Sequence, residues 1–173
     1  MKLSRRTLLG IAAAAGALTA ATGLVGALTV GTQWWDQPAD APFQALEAEE
    51  AAVVRAVAAA AFPGGATIAL GGGEAELDRF FDGLLTSLPE MQRSLLKLLL
   101  HALEHGAVLA EGDRLSALPE PAQRAFVMGL LQHELAEVRG AAMSLVVLLG
   151  MGYTTHPAVA PMISAWHRCG YGT

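Results

Sequence analysis

A charge-free run from Leu8 to Val30 constrains this chain more than any other sequence feature. At about 1.5 Å per residue, a helix of this length would cross the hydrocarbon core of a bilayer. The run follows Arg5-Arg6 and a polar residue, begins with the pair Leu8-Leu9, and is rich in alanine and glycine. A weakly hydrophobic segment behind two arginines is typical of a twin-arginine export signal. We therefore predict a chain that folds in the cytoplasm and functions outside it, in the periplasm or cell envelope.

The boundaries of this signal leave two alternatives. Val25-Gly26-Ala27 supplies the small residues that cleavage requires, so residues 1–27 form a removable signal. In the other case the segment stays as an uncleaved anchor that extends to residue 30 and holds the protein at the membrane. Either way, one helical domain is predicted for residues 43–173, ending in a tail rich in aromatic residues and glycine.

Residues 28–42 are predicted to be a linker, with Trp34-Trp35 as its most distinctive pair. The two indole rings suit a membrane interface beside a retained anchor. They also suit a groove on a partner, or a contact with the chain's own domain, and the sequence leaves these alternatives open.

Composition narrows the function classes. Without residues 1–27 the chain has 8 Lys and Arg against 16 Asp and Glu, a net charge of −8. This balance argues against nucleic acid as a partner, because phosphate binding needs a basic surface. The single cysteine, Cys169, excludes an intrachain disulfide and leaves either burial or pairing with another chain. A hydrophobic fraction of 53% suggests a permanent partner or membrane contact.

Hydrophobic periodicity predicts an all-α fold, an irregular or orthogonal bundle of about five helices after the signal. The helices are expected at residues 43–62, 74–88, 89–109, 122–149, with a bend near Arg139-Gly140, and 159–166. Gly71-Gly72-Gly73 lies outside any phosphate-loop motif, so we expect a flexible connection there.

The string His101-Ala102-Leu103-Glu104-His105 is the sharpest candidate for a metal site. His101 and His105 lie four residues apart, on one helix face, where they and Glu104 could share a metal ion. Arg93 and Lys97 precede them at the same spacing, which favours a solvated, charged stripe without a metal. No buried carboxylate pair and no hydrolase motif is evident, so we predict no catalytic residue in this chain.

The C-terminal segment contains the predicted contacts with a partner. The long helix ends in Gly152-Tyr153, a turn follows at His156-Pro157, and Trp166 and Tyr171 come later. Tyrosine and tryptophan often provide the main contacts of protein interfaces. We predict a partner interface at Tyr153, His156, Pro157, Trp166 and Tyr171, with burial of Tyr153 and Trp166 in the domain core as the alternative.

Together, the signal and these C-terminal motifs resemble the small subunit of gluconate 2-dehydrogenase and of related membrane-bound sugar and alcohol dehydrogenases (the subunit 3 family). The turn from Gly152-Tyr153 to Pro157, Trp166 and the Gly170-Tyr171-Gly172 terminus carry the similarity. The resemblance implies a non-catalytic subunit that escorts a flavin-dependent dehydrogenase of the glucose-methanol-choline type through the twin-arginine translocase. It implies no cofactor in this chain, FAD in the large subunit, and electron transfer from there to a cytochrome c subunit.

Two other functions remain open at this point. One is a small helical metalloprotein that uses His101, Glu104 and His105. The other is an independent envelope protein that binds an apolar ligand among its helices.

Overall fold

The computed structural model describes residues 38–166, and within them the predicted all-α class is confirmed. The described residues form six α-helices and one short 3-10 helix, without any β-strand. In chain order these are α1 (Ala48–Ala61), α2 (Leu77–Ser87), α3 (Glu90–Glu111), the 3-10 helix (Leu115–Ala117), α4 (Glu120–Leu131), α5 (Ala136–Thr155) and α6 (Ala160–Trp166). The predicted export signal, including Arg5, Arg6, Leu8 and Leu9, lies outside these residues, as do Trp34, Trp35, Cys169 and Tyr171.

Helix α1 is the central element of the bundle. It packs against α2, α3, α4, α5 and the 3-10 helix. Its sequence is mostly alanine and valine, and small side chains allow neighbouring helices to approach closely from several sides. A capping box between Glu47 and Glu50 starts the helix, which ends at Phe62, just before Pro63. The helix therefore begins at Ala48, later than the expected residue 43.

Residues 44–46 lead into α1 and are held by one carboxylate from α2. Asp82 accepts hydrogen bonds from the backbone N–H groups of Gln44, Ala45 and Leu46, the last two at 2.8 and 2.9 Å. Asp82 is buried, and three amide donors compensate for the loss of its hydration. This arrangement, the Asp82 clasp, fixes the N-terminal approach to the domain.

The predicted long helix over 122–149 is wrong, because residues 132–135 divide it into α4 and α5. Proline and glycine are absent from this break. Instead, the Leu135 N–H donates to His133 Nδ1 at 3.1 Å, and the Arg139 guanidinium donates to the His133 carbonyl at 2.6 Å. These local bonds replace helical ones. Arg139 and Gly140, where a bend was expected, both lie within α5.

The glycine triplet also differs from the expected flexible connection. The Gly72 N–H donates to the Phe62 carbonyl at 2.7 Å, closing the turn against the end of α1. A Cβ atom on Gly72 would lie 2.3 Å from the Ala58 carbonyl oxygen, so only glycine fits this approach. The triplet is a packed turn. Helix α2 starts at Leu77, after Glu76 with a φ of 48°, and not at residue 74.

Candidate functional site

The predicted metal ligands His101, Glu104 and His105 do not form one site. His101 faces Glu50 of α1, while Glu104 accepts bonds from the backbone and hydroxyl of Ser116 and so holds the 3-10 helix. His105 is exposed, and its ring centroid lies 6.4 Å from that of His101. Among the described residues, the group whose ligand atoms do converge is Glu47, Glu50 and His101, with all three atoms within 4.8 Å of one another.

These three residues and Lys97 form a charged cluster, here the Glu50 cluster, in which Glu47 is partly buried and the other three residues are buried. The Glu50 side chain is fully buried. One of its oxygens lies 2.9 Å from His101 Nε2, and the other lies 3.3 Å from Lys97 Nζ. The expected solvated stripe is therefore wrong for Lys97 and His101, which are only 4% and 6% exposed. The sequence also predicted no buried carboxylate pair; in the structure the buried Glu50 lies beside the partly buried Glu47.

Glu47 is the member of the Glu50 cluster whose carboxyl pKa is raised. Burial raises the pKa of its carboxyl group, the negative charge of Glu50 raises it further, and the Lys97 ammonium opposes both effects. Its Oε1 atom is buried and lies 3.9 Å from Lys97 Nζ, without a hydrogen-bond partner among the described residues. The cluster thus contains two carboxylates in contact with one lysine.

A cavity of about 340 Å³ lies beside Lys97. Its lining is mostly polar and comes from the segment before α1 and the first turns of α3: Ala39, Gln44, Ala45, Glu90, Arg93, Ser94 and Lys97. Arg93 Nε is buried and has no hydrogen-bond partner in the described part of the chain. Lys97, whose side chain is buried, is therefore one of the residues that line this cavity.

The predicted partner residues occupy different environments. Tyr153 belongs to the core: its ring stacks on Phe62 with centroids 4.8 Å apart, and its hydroxyl donates to the Leu70 carbonyl at 2.7 Å. Burial also raises the pKa of this phenol. His156 is half-buried and Pro157 is exposed. Trp166 is the last residue of α6, and Tyr171 lies outside the described residues.

An exposed apolar surface on α5 was not anticipated from the sequence. Met143, Val147 and Met151 follow one another at intervals of four and are 45%, 54% and 58% exposed. This spacing places them on one side of the helix, and we call them the α5 apolar face. A detectable sequence signal existed, because no Asp, Glu, Lys or Arg occurs from Gly140 to Trp166.

Helix α5 also has the length and composition of a membrane-crossing helix, with a mean hydropathy of 1.2 over a window that is 28% buried in the domain. Its buried side, which includes Leu145, Leu149 and Tyr153, belongs to the core. One side of the helix thus packs in the bundle, and the other side is apolar and exposed.

Comparison of this chain with protein-family models, with curated proteins and with solved structures gives no match.

Proposed function

We propose that this chain is a non-catalytic accessory subunit of an exported oxidoreductase. It escorts a flavin-dependent dehydrogenase of the glucose-methanol-choline type through the twin-arginine translocase and then stabilises it in the periplasm or at the membrane. FAD belongs to that large subunit, and a cytochrome c subunit accepts its electrons. The proposal rests on the Arg5-Arg6 signal, on the C-terminal resemblance and on the α5 apolar face.

The α5 apolar face is the observation that carries the proposal. Helix α3 also exposes large apolar side chains, among them Met91 and Leu95, but on α5 three of them follow one another at intervals of four. Their neighbours from residue 140 to 166 include no charged residue that would keep this surface hydrated. Contiguous exposed apolar surface of this kind marks a contact with another protein or a membrane. We assign it to the flavoprotein subunit.

The Gly152-Tyr153 motif, which resembles one in the subunit 3 family, has a structural role that supports this assignment. A Cβ atom on Gly152 would lie 2.4 Å from Phe80 Cδ1, so glycine allows the Phe80 ring to pack directly on α5. Tyr153 then joins the end of α5 to Leu70. These contacts hold α5 in place and leave its apolar face and Pro157 exposed; we assign both to the partner interface, together with Trp166 and Tyr171.

The test is affinity purification of the tagged full-length chain from its native host, with identification of copurifying proteins and an absorbance spectrum. We expect a stoichiometric large chain with a flavin spectrum. The double variant Val147→Asn, Met151→Gln should lose this chain. The matched control Met91→Gln changes an apolar residue of α3 that is 74% exposed, and it should retain the partner. A lone, colourless protein would refute the escort function.

Export gives a second test. Replacing Arg5-Arg6 with Lys-Lys should trap both this chain and its flavoprotein partner in the cytoplasm, as measured by dehydrogenase activity in periplasmic extracts. Unchanged export of the enzyme would show that this chain is not its escort. Binding of the full-length chain to lipid vesicles, abolished by the double variant, would assign the α5 apolar face to the membrane instead.

A further inference from the structure

We propose that Glu47, Glu50 and His101 form a binding site for a divalent first-row transition metal, with Zn²⁺ as the best representative. In this site the metal ion takes the position of the Lys97 ammonium between the two carboxylates. The inference concerns a different part of the molecule from the α5 apolar face, and it does not depend on the proposed escort function.

The ligand geometry fits such an ion. One imidazole nitrogen and two carboxylate oxygens lie within 4.8 Å of one another, and His101 Nε2 is 2.9 Å from Glu50 Oε1. Zinc binds nitrogen and oxygen ligands at about 2.0–2.2 Å, so atoms on one ion are separated by about 3 to 4 Å. Small side-chain adjustments would bring all three atoms to these distances. Mixed imidazole and carboxylate ligands suit zinc, manganese and iron.

Charge in the Glu50 cluster also favours a divalent cation. Two carboxylates face a single ammonium, and the Glu47 Oε1 atom is buried without a hydrogen-bond partner in the described residues. A buried polar atom without a partner is costly. A divalent ion would match the charge of both carboxylates and would coordinate this oxygen.

The cavity beside Lys97 provides room for the lysine side chain when a metal ion displaces its ammonium group. Lys97 lines it together with Ser94 and Arg93, and its volume of about 340 Å³ can accept the lysine side chain as it leaves the carboxylates. The cavity reaches the ligands only through Lys97, since Glu47, Glu50 and His101 do not line it, so the ion gains access to the buried Glu50 when the lysine moves. Three protein ligands also leave a fourth position for water.

A metal at this position would join the start of α1 to the middle of α3. Glu47 and Glu50 belong to the first turn of α1, whereas His101 comes 51 residues after Glu50. Binding that favours the folded state stabilises it increasingly as the metal concentration rises. The bound form should therefore melt at a higher temperature.

The experiment uses the full-length chain, stripped with a chelator and titrated with Zn²⁺ by calorimetry, with metal content and thermal melting measured in parallel. We expect one Zn²⁺ per chain and a raised melting temperature. His101→Gln should weaken binding about 100-fold or more. The control His105→Gln, on the same helix one turn later, should bind like the unaltered chain.

A further variant tests the displacement itself. Lys97→Met removes the competing ammonium while keeping much of its apolar volume, so we expect Zn²⁺ to bind about tenfold more tightly or better. Circular dichroism checks that the variant is folded; if it is not, the comparison of His101→Gln with His105→Gln decides alone. Absence of stoichiometric Zn²⁺ binding, or equal binding by these two histidine variants, would overturn the proposal.

Discussion

Helices α1 and α5 differ in which side chains they bury: α1 buries a charged residue, whereas α5 exposes large apolar ones. Helix α1 has 14 residues, of which eight are buried, including the charged Glu50. Helix α5 has 20 residues, of which five are buried, and it exposes Met143, Val147 and Met151 to solvent. The buried polar groups of a central helix must find their partners within the domain. Helix α5, in contrast, has a side that the domain itself does not cover. The contrast separates residues that maintain the fold from residues available for a partner.

The largest expected effect comes from breaking the buried charge cluster on α1. Glu50→Ala leaves Lys97 buried near a single carboxylate, and we expect it to lower the free energy of unfolding by about 3–5 kcal/mol. Chemical denaturation measures the loss. Glu49→Ala, which removes an exposed carboxylate paired with Arg114, is the control and should cost less than about 1 kcal/mol. Equal losses would show that burial does not distinguish these glutamates.

The two sides of α5 should differ almost as strongly. Leu149 is fully buried, so Leu149→Ala removes core packing and should cost about 2–5 kcal/mol. Val147→Ala, two residues earlier on the exposed side, should change the free energy of unfolding by about 0.5 kcal/mol or less. Thermal or urea unfolding of both variants tests this directly. A large loss at Val147 would mean that the domain itself covers the apolar face.

Alanine substitutions at two glycines of α5 should also differ in their effect on stability, by smaller amounts. Gly152→Ala places a methyl group against Phe80 and should destabilise the domain by about 1–3 kcal/mol. In Gly150→Ala the new Cβ would lie 3.5 Å from Phe62 Cζ, an ordinary contact. The higher helix propensity of alanine should then make this variant neutral or more stable by up to about 1 kcal/mol. Melting temperatures in the reverse order would contradict the close packing of Phe80 on Gly152.

The smallest effect on stability should accompany the largest effect on assembly. Val147→Asn with Met151→Gln changes only exposed side chains, so the free energy of unfolding should shift by about 0.5 kcal/mol per residue or less. Copurification of the flavoprotein subunit should nevertheless be lost. Retention of the partner at full stoichiometry would remove the α5 apolar face from the proposed interface.

Sequence reasoning located the helices because hydrophobic periodicity is a local property. It missed the break at residues 132–135 because His133 and Arg139 end α4 through their own side-chain bonds, without proline or glycine. It also placed Lys97 and His101 in solvent, since a spacing of four describes one helix face but not what covers that face. Their partner Glu50 lies on another helix and only the fold brings them together. The run from residue 140 to 166 without Asp, Glu, Lys or Arg is visible in the sequence and could have predicted the α5 apolar face.

The Asp82 clasp has a mechanical consequence. Tension applied to the chain from its N-terminal side reaches Asp40, which bonds to Leu46 and Ala48, and then residues 44–46, which one carboxylate of α2 holds through their amide groups. Because all three amide groups share one acceptor side chain, movement of Asp82 would release them together. A domain drawn forward by its leading segment would thus be pulled through α2 as well as α1.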